Sequence, residues 1–174
     1  MKILCFTQGA HTPAVEPLAV QAVRRALRTH RPFPSGDVHL IWTNRIRLRV
    51  LNRRFRQTDR FTDVISFRYD ETPAVPSKSL PFGDLYIATD QAQKNAVRFG
   101  VTLDEEIVRL ATHGALHLLG YTDYTPENRD RMWAIQEPLV RKILKSTEKP
   151  ASKNVENVSL LVPKSLTKRQ RFWN

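Results

Sequence analysis

The sequence predicts an α+β fold, with a mixed sheet of about four strands flanked by about five helices. Short stretches rich in β-branched and aromatic residues alternate irregularly with longer stretches whose apolar residues recur at helical spacing. The chain has 174 residues, of which 41% are hydrophobic, and this is enough for one domain with a buried core.

Strand composition and turn residues place the four strands along the chain. Each predicted strand is rich in aliphatic or aromatic residues, and the four strands span residues 2–6, 38–42, 62–67 and 84–88. A proline-containing loop over residues 69–83 joins the last two strands. Its length is typical of a functional segment.

Threonine is the shared helix-start signal, because its hydroxyl can accept from the free backbone N–H groups of the first turn. The predicted N-caps are Thr12, Thr43, Thr89, Thr102 and Thr125. Proline follows two of these caps at the first helical position, and Glu105 completes a capping box with Thr102. Gly100 and Gly120 are predicted to end the third and fourth helices.

Apolar spacing predicts the buried face of three helices. The first helix is expected to bury Val15, Leu18, Ala19, Ala22, Val23, Ala26 and Leu27. The second is expected to bury Ile46, Val50, Leu51 and Phe55, with arginines on the remainder. The last is expected to bury Met132, Ile135, Leu139 and Ile143, and Pro138 predicts a kink or an interruption there.

The charge of the chain indicates a polyanionic partner. The net charge is +11, and residues 24–60 contain eleven arginines and no lysine. A basic surface without a specific partner is the alternative. No apolar stretch approaches the roughly 18 residues of a membrane helix, so no membrane partner is expected. The single cysteine, Cys5, fits a reducing, cytoplasmic location.

The chain is predicted to divide near residue 144. Residues 1–144 form the domain, and residues 145–174 form a basic tail with seven basic and two acidic residues. The tail is expected to be partly disordered alone. Contact with RNA, docking on the domain and disorder remain open for it.

The segment from His113 to Asp123 has the spacing of a metal site. His113 and His117 lie four residues apart, so both imidazoles share one helix face, and Gly120 then turns the chain so that Asp123 can add an oxygen. Two nitrogens and a carboxylate suit Zn²⁺ with an open fourth position, where the pKa of bound water falls to roughly 7. Other divalent transition metals suit the same donors, and ordinary packing of the histidines is the alternative.

Gly114 argues against one class of metalloenzyme. In proteases with the HExxH motif, the glutamate after the first histidine activates water. Glycine occupies that position here, so a peptidase of this mechanism is disfavoured.

Three segments together resemble one known family. "HGALHLLGYTD" (113–123) is similar to the HGxLHLxGYDH signature of the YbeY family of bacterial endoribonucleases. "LNRRFRQTDRFTDVISF" (51–67) and "FGDLYIAT" (82–89) are similar to the family's LNxxYRxxDxPTDVLSF and LGDIxIS segments, in the same order.

The resemblance implies roles for particular residues. The family's three metal-binding histidines fall on His113, His117 and Asp123, so the third ligand has changed from neutral to anionic. The family's functionally important arginine falls on Arg56, and Thr122 stands where the family usually has aspartate. The matching segments also contain Asp63, Ser66 and Asp84, for which hydrogen bonds at turns and strand ends are expected.

The resemblance further implies a zinc-metallohydrolase-like α+β fold that hydrolyses single-stranded RNA and acts in small-subunit rRNA 3′-end maturation and ribosome quality control. The implied partners are an rRNA precursor and the small ribosomal subunit, and no DNA partner is expected. A non-enzymatic ribosome assembly factor with a structural metal is the second hypothesis. A peptidase is a third, opposed by Gly114 and by the basic charge.

Overall fold

A computed structural model of the chain describes residues 1–32, 34–69 and 81–146. These residues form four strands and five helices, as the sequence predicts. In chain order the elements are β1 (Ile3–Gln8), α1 (Glu16–Leu27), β2 (Val38–Thr43), α2 (Arg45–Arg56), β3 (Val64–Arg68), β4 (Gly83–Ala88), α3 (Thr89–Phe99), α4 (Leu103–Leu118) and α5 (Pro126–Lys145). The predicted loop over 69–83 and tail over 145–174 lie largely outside the described residues.

The sheet is mixed and has the order β1-β2-β4-β3. β1, β2 and β4 run parallel, and β3 pairs antiparallel with β4 at one edge. One face of the sheet, here called the helix-covered face, packs against apolar residues of α1, α3, α4 and α5. On the opposite, outer face, α2 is the one helix among the described residues, and it forms a second, smaller core in which Leu48 meets Ile65 and Ala88.

Helix starts differ from the sequence prediction at three of the five threonines. α1 begins at Glu16 because Thr12-Pro13 opens a separate turn, closed by the Glu16 N–H donating to the Pro13 carbonyl. The cap of α2 is Asn44, since the Thr43 hydroxyl instead donates to the Gln8 carbonyl. Thr89 is the first residue of α3, and no side chain caps that helix.

The remaining caps form as predicted. The Thr102 hydroxyl accepts from the Glu105 N–H at 3.1 Å, and Thr125 caps α5 in the same way. The interruption that was one of the two expectations at Pro138 does not occur, because α5 continues through this residue. Pro138 cannot bond the Ala134 carbonyl, and both residues lie on the exposed side of the helix, where water can replace that bond.

The predicted buried faces of α1 and α5 are confirmed, whereas that of α2 is wrong at three of its four residues. Leu51 packs against the smaller core, as predicted. Ile46, Val50 and Phe55 are 65%, 50% and 56% exposed, and α2 instead buries Leu48 and Asn52. The Asn52 side-chain amide donates to the Arg60 carbonyl, so this polar residue faces inward to hold the turn after α2. The buried face of α2 therefore includes a polar residue held there by a hydrogen bond, and apolar spacing alone cannot identify such a residue.

A buried ionic cluster joins α4 to α5. Arg109 donates to Glu105 at 2.7 Å and to Glu137 at 2.9 Å, and Glu106 lies fully buried 3.6 Å from the same guanidinium. Removal of one partner from such a cluster leaves uncompensated buried charge.

Among the described helices, none is long and apolar enough to cross a bilayer.

The buried cluster around Arg109 predicts the effect of one substitution. We expect Arg109→Ala to lower the free energy of unfolding by about 3 kcal/mol or more, because Glu106 and Glu137 lose their cation. Urea denaturation measures this difference. Arg141→Ala removes an exposed arginine of α5 and should change the free energy by less than about 0.5 kcal/mol. Equal stability of the two variants would contradict a structural role for the cluster.

Candidate metal centre

Helix α4 brings His113 and His117 together. The four-residue spacing stacks the two rings on one helix face, and their Nε2 atoms are 3.0 Å apart. The rings meet edge to face, with centroids 4.5 Å apart. Both imidazoles therefore present the same nitrogen to one point in space.

The chain after α4 adds the carboxylate. Gly120 has a φ of 90°, which L side chains rarely adopt, and this residue reverses the chain at the end of the helix. Asp123 then lies 3.8 Å from the His113 Nε2 and 4.0 Å from the His117 Nε2. The three predicted ligand residues are thus brought together, with candidate ligand atoms within 4.8 Å of one another.

Hydrogen bonds on the far side of each ring orient the two imidazoles. The His113 Nδ1 pairs with the Gln136 Oε1 at 2.9 Å, and the His117 Nδ1 pairs with the Tyr121 carbonyl at 2.8 Å. Both partners are acceptors, so each Nδ1 carries the proton and each Nε2 keeps a lone pair for a cation.

The donor set fits a zinc ion. Tetrahedral ligands at about 2.0–2.1 Å from Zn²⁺ lie about 3.3 Å from one another. The two Nε2 atoms are 3.0 Å apart, slightly closer than this value, and the Asp123 oxygens lie farther away, with Oδ2 at 3.8 Å from His113 and Oδ1 at 4.0 Å from His117. Small side-chain adjustments would satisfy the geometry, and three protein ligands leave a fourth position open.

Burial keeps the two histidines neutral. Desolvation, helped by the nearby His117, lowers the pKa of His113 to about 4. Desolvation also lowers the pKa of His117, against the opposing effect of the Asp123 carboxylate. The positive charge of Arg56 also lowers the pKa of both histidines, which places this arginine close to the centre. Neutral imidazole is the form that binds metal.

Gly114 is required by packing. A Cβ at this position would lie 2.1 Å from a methyl carbon of Leu85 and 3.0 Å from the Ser66 hydroxyl oxygen. The Ser66 hydroxyl also donates to the Gly114 carbonyl at 2.9 Å. The helix thus contacts the sheet so closely that the glutamate of a HExxH protease has no room here.

The hydrogen-bonding roles expected in the matching segments are confirmed. Besides Ser66, Asp63 accepts from Asn95 at 2.7 Å, and burial raises the pKa of its carboxyl group. Asp84 pairs with His39 at 3.0 Å and accepts from the Tyr69 hydroxyl at 2.8 Å. These side chains position strands and helices around the centre.

A cleft of about 580 Å³ opens over the three candidate ligands. Four arginines line it, and they come from α2, the following turn, β3 and α5: Arg56, Arg60, Arg68 and Arg129. Arg56 was predicted from the family resemblance, whereas the other three had no sequence signal beyond their charge. Such a cleft suits an anionic substrate.

Sequence reasoning also missed Gln136, although a signal was available. Gln136 is 1% exposed and lies four residues from both Met132 and Val140, on the apolar face of α5. A polar residue in a buried stripe requires a partner, and here that partner is His113.

Fold and site together define a class of protein: an α+β domain whose longest buried helix presents a candidate two-histidine, one-carboxylate metal centre to a basic cleft. Residues 7–144 match the family described as Endoribonuclease YbeY. The chain belongs to this family, which makes it an RNA-cleaving hydrolase by class.

Individual relatives agree. The chain is 37% identical to "Endoribonuclease YbeY" of Lactococcus lactis subsp. cremoris, a match covering 61% of this chain and 74% of the relative. It is 32% identical to "Endoribonuclease YbeY" of Desulforamulus reducens, covering 72% and 84%. The solution structure of TM1509 from Thermotoga maritima shares the fold, with a TM-score of 0.57 and 23% identity, covering 89% of this chain and 99% of that one.

The contact between Gln136 and His113 predicts a specific effect on metal affinity. Gln136→Leu keeps the volume but removes the acceptor, so we expect Zn²⁺ to bind about 10- to 100-fold more weakly. Gln136→Glu keeps an acceptor and should bind Zn²⁺ with at least half the wild-type affinity. Competition with a chromophoric chelator measures both. Equal affinities for the Leu and Glu variants would show that the contact does not orient His113.

The lowered histidine pKa values predict metal binding in mild acid. Two ordinary imidazoles with a pKa of about 6.5 would lose about 100-fold in affinity at about pH 5.5, because each would be only roughly one-tenth neutral. His113 stays neutral at that pH, so we expect the Kd for Zn²⁺ to rise by about tenfold or less. Calorimetric titration with Zn²⁺ at neutral pH and at about pH 5.5 distinguishes the two expected losses of affinity.

Proposed function

We propose that this protein is a single-strand-specific, metal-dependent endoribonuclease that acts in small-subunit rRNA 3′-end maturation and ribosome quality control. The observation that carries the proposal is the convergence of His113, His117 and Asp123 at the base of an arginine-lined cleft. These three residues are the proposed metal ligands. Zn²⁺ is the proposed ion, and another divalent transition metal suits the same donors.

The side chains around the proposed centre have different proposed roles in phosphodiester hydrolysis. A bound divalent cation supplies Lewis acidity and lowers the pKa of water that it binds. Arg56 is the proposed catalytic arginine, since its planar guanidinium can donate two hydrogen bonds to a phosphate whose charge increases during the reaction. Arg60, Arg68 and Arg129 line the same cleft and are proposed to attract the neighbouring phosphates.

The proposed partners follow from this chemistry. The substrate is single-stranded RNA within an rRNA precursor bound to the small ribosomal subunit, in the cytoplasm. No DNA substrate is proposed. Residues 1–144 are proposed to be the catalytic domain, and residues 145–174 a basic appendage to it.

One observation supports a second candidate, a non-enzymatic ribosome assembly factor with a structural metal. The other carboxylate that lines the cleft, Asp63, is held by Asn95. The Asn95 amide occupies its Oδ2 atom, so this carboxylate serves a structural contact and is not aimed at water as a general base. Under this hypothesis the basic cleft would bind RNA without cutting it.

Three variants distinguish binding from catalysis. We expect His113→Ala to lose both metal and cleavage of single-stranded RNA, because it removes a ligand. We expect Arg56→Ala to keep its metal and to bind RNA within about threefold of wild type, while its kcat falls about 100-fold or more. Arg56→Lys keeps the charge but loses the two-pronged donor, so its kcat should stay well below wild type.

Arg98→Ala on α3 removes an arginine outside the cleft and is the matched control, with unchanged cleavage. Metal analysis, RNA binding and single-turnover cleavage are measured on each protein. Full cleavage by metal-free His113→Ala would refute the proposed mechanism. A purified wild-type protein that binds RNA and zinc but never cuts would favour the assembly factor.

A further inference from the structure

The outer face of the sheet is only partly covered by the described helices. α2 packs on it over β3 and β4, through Leu48, Ile65 and Ala88. On the β1 side, Leu4 and Phe6 are 38% and 46% exposed, although both are large apolar residues. That half of the face is therefore open within residues 1–32, 34–69 and 81–146.

Aromatic rings lie in two groups on this face, one on β1 and β2 and the other on β4, β3 and α2. The strand register places Phe6 beside Ile41 and Ile41 beside Tyr86, and it places His39 beside Asp84 and Asp84 beside Phe67. Ring centroids are 5.2 Å apart for Phe6 and His39, 5.9 Å for Tyr86 and Phe67, and 5.1 Å for Phe67 and Phe55. We call these residues the aromatic row: Phe6, His39, Tyr86, Phe67 and Phe55.

The aromatic row ends at the proposed active site. Phe55 is followed directly by Arg56, which lines the cleft over the candidate metal ligands. The row thus crosses the sheet from the exposed edge at β1 to the edge strand β3, whose opposite face, with Val64 and Ser66, lines the cleft. A single strand whose scissile phosphate lies at Arg56 can continue onto the outer face.

The charge around the row suits a polyanion. Arg47 donates to the Gln8 side chain at 3.0 Å, and its charge acts on the hydroxyl of Tyr86, so it lies beside the row. Arg54 lies over the ring of Phe55 at 5.3 Å. The one carboxylate among the outer-face residues named above, Asp84, is paired with His39.

We propose that the aromatic row is a stacking platform for single-stranded RNA that flanks the cleavage site. This inference rests on the proposed endoribonuclease function and extends it with a second binding surface. Phe6 and Phe55 are 46% and 56% exposed, whereas Tyr86 and Phe67 are partly buried against the smaller core under α2, so bases would stack mainly at the two ends of the row. Every base has a π-face, so such stacking is largely independent of sequence, and adjacent arginines contact the phosphates. Exposed sheet aromatics are one of the general ways in which proteins bind unpaired RNA.

The test asks whether the effect of removing the Phe6 ring on RNA affinity depends on the length of the RNA. Two fluorescent single-stranded oligoribonucleotides of equal base composition are used, about six and about twenty nucleotides long, so that only the longer reaches beyond the cleft. Dissociation constants come from fluorescence anisotropy at one salt concentration. Every zinc-loaded protein in this comparison, including the reference called wild type here, carries Arg56→Ala, so that the RNA is bound but not appreciably cut. The variants are Phe6→Ala and Phe6→Trp, and Val97→Ala is the control, because Val97 is 75% exposed on α3 outside the row.

We expect Phe6→Ala to bind the long RNA about tenfold more weakly and the short RNA as tightly as wild type does. Phe6→Trp keeps a ring and should bind both RNAs as wild type, and so should Val97→Ala. Unchanged affinity of Phe6→Ala for the long RNA would overturn the proposal, as would an equal loss for both lengths.

Other occupants of the face give different results. If a second copy of the chain covered it, Phe6→Ala would lower the mass measured by sedimentation and leave RNA affinity unchanged. If residues 147–174 covered it, Phe6→Ala would affect RNA affinity only after those residues are deleted. Either outcome overturns the proposal. Failure of the protein that retains Arg56 to cleave RNA would instead count against the proposed function, since these binding measurements do not depend on cleavage.

Discussion

The close contact between α4 and the sheet at Gly114 is the constraint on which the rest of the structure depends. The helix lies so near to β3 and β4 that the position has room only for a hydrogen atom, and the Ser66 hydroxyl bonds the backbone of the same residue. This contact fixes the depth and rotation of α4. His113 and His117 flank it, so the same packing that closes the core also aims both imidazoles at the cleft.

Three further contacts complete the centre from outside α4. Gln136 on α5 and the Tyr121 carbonyl orient the two rings, and the turn at Gly120 returns Asp123 to them. Three of the cleft arginines, Arg56, Arg60 and Arg68, come from α2, the following turn and β3, and Arg129 comes from α5. Burial therefore lowers the pKa of the histidines while the cleft mouth stays basic, a combination suited to a metal and a phosphate together.

The sequence was sufficient for the fold class and for bringing the three candidate ligand residues to one place, because both depend on local spacing. Alternation and capping signals identify the elements, and the four-residue interval between the histidines determines their shared face. It was insufficient where a long-range contact decides. The buried face of α2 is set by Asn52 bonding the Arg60 carbonyl, and its apolar Ile46 and Val50 face outward. Gln136 reaches His113 from 23 residues away, so its place in the apolar stripe of α5 indicates that it needs a partner but not which residue the partner is.

The central claim is that cleavage depends on an ion held by His113, His117 and Asp123. The most direct measurement titrates Zn²⁺ into metal-stripped wild-type protein and records bound metal and single-stranded RNA cleavage in the same samples. The account predicts that cleavage is absent without metal, rises in proportion to the bound ion and reaches its maximum at about one ion per chain. Cleavage at the full rate by the metal-free protein, with no change as zinc binds, would contradict it.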